Sequence, residues 1–128
     1  WKLNKNKKFI ENFNFKIFLF LPDRKKNYDI VNSRFINMIN KGAVEEVKKL
    51  LALKLNTSLP VMRAHGVPEI TKYLANEIHL DECIDKGQQV TRNYVKRQHT
   101  WWNSSKLEIY KKFDKFPSEI DINSIKFD

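Results

Sequence analysis

The apolar positions along the chain fall into four helical stretches and two strand-like ones. From Tyr28 to Asn40, Val31, Phe35, Met38 and Ile39 recur at helical spacing, and Gly42 stands where a helix C-cap belongs. Ala43 to Leu55 carries Val44, Val47, Leu51 and Leu55 on one stripe, with Leu50 beside it and Lys54 at its edge. In "LPVMRAHGVPEI", Pro60 and Pro68 bracket Gly66, which predicts a single turn, a bend and a fresh helix with Ile70, Tyr73 and Leu74 inward. Asp81 is placed to cap a last, longer helix whose inner stripe is Ile84, Gly87, Thr91, Tyr94, Val95, Gln98 and Trp102, Gly87 permitting close packing. Arg92, Lys96 and His99 line the opposite stripe, flanked by Arg97.

Phe15 to Leu21 reads as a strand closed by the turn "LPDR", and "KLEIYKKF" after Asn103 alternates loosely enough for a second. Residues 1–14, rich in lysine and asparagine, read as a linker; the tail from Pro117 has no decisive pattern. The chain is therefore expected to be mainly α with one or two strands, organised as residues 1–14, residues 15–103 and an extension over residues 104–128.

With 128 residues, 41% apolar and 30% charged, the composition is that of one globular domain with a modest core. Cys83, the single cysteine, has no internal disulfide partner and reads as a small buried hydrophobe, which suits a reducing cytoplasm. His65, His79 and His99 are too scattered for zinc-ligand spacing, so no metal site is expected from them. The apolar run "IFLFL", Ile17 to Leu21, is far short of a membrane span. No secretory signal pattern is visible, and a start at Trp1 suggests a piece of a longer protein.

Charge changes the picture most. A net charge of +9 and a pI near 9.7 favour an anionic partner: a nucleic acid, a diphosphate or a lipid surface. A lipid surface would need a long helix with an unbroken apolar face, which the glycine and proline breaks argue against. "VKRQHTWWN", Val95 to Asn103, has two readings taken alone. Either Trp102 packs inward beneath a solvated basic face, or the stretch faces a nucleic-acid backbone. The second reading needs another basic element nearby, and "MRAHG" supplies an arginine beside a glycine bend, with Trp101 or His99 available to stack.

These stretches also carry a resemblance. Leu59, Pro60, Arg63 and Gly66, followed by Thr91, Arg92, Lys96, Arg97, Gln98, Thr100 and Trp101, resemble the C-terminal part of the tRNA dimethylallyltransferases, or tRNA isopentenyltransferases. Upstream, "PDRKKNYDIVNSRFINMINKGAVEEVKKLL" is similar to that family's Asp-Arg, Tyr, Asn-x-Arg helix and the helix after it. The likeness runs from about Phe15 to Trp102. It departs at Val67 and Pro68, where the family more often has a tyrosine and a cation, and at Ile30, where an arginine is common.

The resemblance implies transfer of a dimethylallyl group from its diphosphate to the exocyclic amine of an adenosine beside the tRNA anticodon, with magnesium assisting. It implies a fold similar to P-loop nucleotide-binding proteins, with helical elements that grip the anticodon stem-loop. The glycines Gly42, Gly66 and Gly87 cannot form G-x-x-x-x-G-K-[ST], so the phosphate loop, the catalytic acid and most of the magnesium site are expected in a preceding N-terminal half. On this reading the chain is a C-terminal fragment, inactive alone and without a catalytic residue of its own.

By position, the resemblance assigns tRNA contact to Arg63, Ala64, His65, Gly66, Val67 and Pro68. It assigns the same role to Lys96, Arg97, Gln98, His99, Thr100, Trp101, Trp102 and Asn103. His65 and His99 would lie beside the RNA without a chemical role, and the two tryptophans would pack rather than stack. Arg34 is the candidate for holding the donor diphosphate; its alternative is a surface ion pair with Glu45 or Glu46. The competing class is a non-catalytic helical RNA-binding module, for which the basic helix alone would suffice.

Overall fold

A computed structural model describes residues 14–121, 123 and 125. Four α-helices, two short 3₁₀ turns and a pair of short strands account for the regular structure of the described residues, which is mainly helical. The linker expected at the start lies, apart from Asn14, outside the described residues. Two compact units emerge. One is residues 23–105; the other joins the described residues up to Pro22 with those from Lys106 onward.

In the first unit, helix α1 spans Arg24–Asn40. It starts four residues before the predicted Tyr28 because Asp23 caps it: the carboxylate accepts from the amides of Lys25 at 2.8 Å and Lys26 at 3.3 Å. The polar first turn is thereby helical without any apolar signal. Gly42 ends the helix in the left-handed region at φ +101° and passes the chain into α2, Ala43–Ala52. Helix α2 stops three residues short of the expected Leu55, as Lys54 turns left-handed at φ +50°. Leu53 and Leu55 are left exposed.

A short 3₁₀ turn, Pro60–Arg63, leads to α3, Val67–Leu74, and then to α4, Leu80–Ser104. Asp81 does not cap α4 as predicted. His79 occupies the N-cap, without a side-chain bond, and Asp81 and Glu82 sit in the first turn, where carboxylates complement the helix dipole. Val47, Ile70 and Cys83 form the buried centre of α2, α3 and α4, with Ile39, Val44, Leu51 and Leu74 packed around it.

Helix α1 runs antiparallel along α4, since Asn27 meets His99, Asn32 meets Arg92 and Phe35 meets Gly87. These pairings revise the predicted faces of α4. Cys83, Gly87 and Val95 are buried, while Tyr94 and Gln98, expected inside, are exposed. Arg92 and His99, expected on the solvated basic face, turn towards α1. The Arg92 guanidinium donates to Asn32 Oδ1 at 2.8 Å, and His99 Nε2 lies 3.1 Å from Asn27 Nδ2. A polar stripe can be half-buried there because asparagines on α1 hydrogen-bond it.

In the second unit, strand β1, Phe18–Phe20, pairs in parallel with β2, Lys111–Phe113. Both are shorter than predicted, because the ladder joins only three residues on each side: Phe18 with Lys111, Leu19 with Lys112, and Phe20 with Phe113. The rings of Phe20 and Phe113 stack at 4.9 Å and Leu19 is buried. Among the described residues no helix is long and apolar enough to cross a membrane.

Candidate functional site

The bend between the 3₁₀ turn and α3 is fixed by glycine. Gly66 has φ +92° and is buried; a Cβ there would lie 3.2 Å from the Phe35 ring. A side chain would therefore meet both backbone strain and a packed aromatic. The Val67 amide donates back to Ala64 carbonyl at 3.0 Å, tightening the turn. Arg63, Ala64, His65 and Pro68 remain exposed around it, and Val67 is half-buried.

The bend reaches α4 through His65, whose ring meets Tyr94 edge-on at 5.6 Å. One turn further along, the face of α4 turned away from α1 forms a shallow groove of about 670 Å³, lined by Asn93, Lys96, Arg97, Thr100, Trp101 and Ser104. Neither Lys96 nor Arg97 has an ion pair among the described residues, so both charges face solvent. Thr100 and Ser104 donate their hydroxyl hydrogens to backbone carbonyls of α4, leaving only acceptor capacity outward. Trp101 is 55% exposed and meets Trp102 edge-on at 4.7 Å. Trp102 is half-buried, whereas Trp101 is an open ring. Gln98 and Asn103 are exposed, and His99 is held by Asn27.

Arg34 projects from α1 and is exposed. It borders a groove of about 750 Å³ that extends along α1 to Ala43 and Glu46 of α2. It also lines a smaller cavity of about 210 Å³ with Val31, Phe35, Met38, His65 and Thr91. Its alternative pairing with Glu45 or Glu46 does not form among the described residues. The structure thus brings the bend to α4, and Arg34 to His65.

Sequence reasoning missed Tyr94 as the support of His65, and Asn27 and Asn32 as partners of α4. Periodicity placed Tyr94 on the inner stripe rather than beside His65, and no periodic signal marks Asn27 or Asn32, each polar in a polar stretch. Cys83 is buried; burial pushes its thiol up from the ordinary value, and Glu69 adds to the effect. It is the inert small hydrophobe expected from the sequence. Among the described residues no group of three or more His, Cys, Asp or Glu side chains could hold a metal ion.

Comparison with known proteins bears on what this arrangement serves. A family model described as IPP transferase matches residues 1–105. The tRNA dimethylallyltransferase of Wolbachia pipientis wMel is 52% identical over 104 residues, covering 81% of this chain and 34% of that protein. That of Ehrlichia canis is 47% identical over the same share of each. The full-length tRNA isopentenylpyrophosphate transferase of Bacillus halodurans superposes with a TM-score of 0.69 at 27% identity, covering 84% of this chain and 36% of that one. The Staphylococcus epidermidis enzyme tRNA delta(2)-isopentenylpyrophosphate transferase gives a TM-score of 0.68 at 26% identity, covering 81% and 34%. The chain spans about a third of the length of the curated relatives it matches. The mainly helical fold thus matches that of solved tRNA isopentenyltransferases, and the chain belongs to the IPP transferase family.

Proposed function

We propose that the chain is the anticodon-gripping part of a tRNA dimethylallyltransferase, with Arg34 holding the diphosphate of the prenyl donor. In the reaction, the exocyclic nitrogen of an adenosine bonds to the first carbon of the dimethylallyl group. The carbon–oxygen bond breaks, the diphosphate leaves with the electron pair, and the amine gives up a proton. Cations near the leaving group and a base drawn out of its stack favour this. The chain's share is to hold the RNA and one end of the donor.

One observation carries the reading: His65 against Tyr94 joins the Arg63–Pro68 bend to the helix whose exposed face bears Lys96 and Arg97. A second basic element is thereby packed on the helix that bears Lys96 and Arg97, and cations of this kind hold phosphate oxygens. The stretches proposed to meet RNA are residues 63–68 and 96–103, with Trp101 now supplying an open ring for stacking. No step here is assigned to the magnesium that the resemblance implies. An aqueous, cytoplasmic setting follows from tRNA as substrate.

The test is binding selectivity. The 128-residue chain should bind an anticodon stem-loop more tightly than an acceptor-stem hairpin of equal length, at one salt concentration. Equal affinity would reduce the surface to non-specific charge and overturn the reading. With dimethylallyl diphosphate, magnesium and tRNA, the chain alone should form no modified adenosine, since its three glycines cannot build the phosphate-cradling loop.

A further inference from the structure

We infer that His65 works beside Arg34 as a second hydrogen-bond donor to the donor's diphosphate, in the cavity shared by α1, the bend and α4. The inference deepens the proposed function and rests on its assignment of Arg34. It moves the His65 side chain from the RNA surface to the leaving-group end of the reaction.

The cavity of about 210 Å³ is lined by Val31, Arg34, Phe35, Met38, His65 and Thr91. Val31, Phe35 and Met38 offer an anion no donor. Thr91 gives its hydroxyl hydrogen to the Gly87 carbonyl at 2.9 Å and can only accept. An anion entering the cavity therefore has two donor side chains, the Arg34 guanidinium and the His65 imidazole, and no carboxylate among the lining residues. The apolar walls suit a short branched hydrocarbon. The ligand class that fits both parts is a phosphate or diphosphate ester of a small hydrocarbon alcohol.

The imidazole is held in place for this. Gly66 fixes the bend with a left-handed backbone, and Tyr94 meets the ring edge-on at 5.6 Å. No hydrogen bond occupies either ring nitrogen among the described residues. The titratable and charged groups around it are Arg34 from α1, Tyr94 from α4 and Arg63 on its own bend. An imidazole carries at least one N–H in every form it takes and so can donate to an anion. As the carbon–oxygen bond breaks, charge grows on the diphosphate oxygens, where preorganised donors stabilise it.

The experiment is a nuclear magnetic resonance titration of the 128-residue chain with inorganic diphosphate, following the His65 ring and the Arg34 guanidinium. Saturable shifts are expected at both. His65→Gln and Arg34→Gln should each weaken binding by about tenfold, the usual size for a charge-assisted hydrogen bond. Lys72→Gln, outside the cavity, should change nothing. Thermal unfolding checks that each variant is folded.

If His65→Gln binds as the parent does while Arg34→Gln is weakened, the inference is wrong and the Arg34 assignment stands. If the parent shows no saturable shift, or neither variant is weakened, both fall together. The RNA-gripping reading would then rest on its own stem-loop test.

Discussion

The ring of Phe35 occupies the space that a side chain on Gly87 would need: a Cβ built on Gly87 would stand 2.0 Å from Phe35 Cζ. Phe35 is 3% exposed, so the ring has no open side to retreat to. The fit of ring to glycine sets how closely α1 approaches α4, and the same ring also stands against Gly66. Gly87→Ala should therefore overpack the pair and cost about 1 to 3 kcal/mol, measured by urea unfolding. Phe35→Leu in the same chain should recover part of that loss. A Gly87→Ala protein as stable as the parent would mean that α1 and α4 are free to separate.

Acid should loosen the start of α1. The amides of Lys26 and Lys25 hold the Asp23 carboxyl below its ordinary value of 3.8. Its ionised form is therefore favoured in the folded chain, and the stability it lends is full above that value. That stability is lost as pH falls through the lowered folded value. Amide exchange at Lys25 and Lys26 should accelerate across this acid range, and Asp23→Ala should show fast exchange at every pH.

The two tryptophans should separate cleanly. Trp102, partly buried, should cost about 2 to 4 kcal/mol on truncation to alanine, while Trp101→Ala should stay within about 0.5 kcal/mol of the parent. Stem-loop affinity should show the reverse order, with Trp101→Ala weakening binding by roughly 1 to 3 kcal/mol if a base stacks on the open ring. Loss of stability in both variants would return Trp101 to a packing role.

The helices were legible because Phe35, Val47, Ile70 and Val95 each belong to a stripe of apolar residues at helical spacing, and Gly42 and Gly66 mark left-handed turns that few other residues adopt. The phase of α4 was not. Its two stripes, one with Tyr94 and Gln98 and the other with Arg92 and His99, run along one largely polar helix. Which of them turns inward depends on Asn27 and Asn32, more than fifty residues upstream, and on the fit of Phe35 to Gly87. Pattern along one segment carries no information about a hydrogen-bonding partner on another. The early start of α1 was hidden for a related reason, since a single capping carboxylate decides it. At the candidate site, motif order pointed to the bend and the basic stretch. The sharing of one cavity by Arg34 and His65 is a tertiary fact.

The central claim is that Lys96 and Arg97, on the open face of α4, meet phosphates of a tRNA anticodon stem-loop. The measurement is stem-loop binding to the parent chain, Lys96→Ala, Arg97→Ala and Arg92→Gln across a range of salt concentrations. Cations that neutralise phosphates release counterions. Each of the first two variants should therefore flatten the plot of log affinity against log salt by roughly 0.7 to 0.9 for every phosphate left without its cation. Arg92, bonded to Asn32, is the structural cation. Its removal should lower stability and leave the slope intact. Unchanged slopes in folded Lys96→Ala and Arg97→Ala chains would contradict the account.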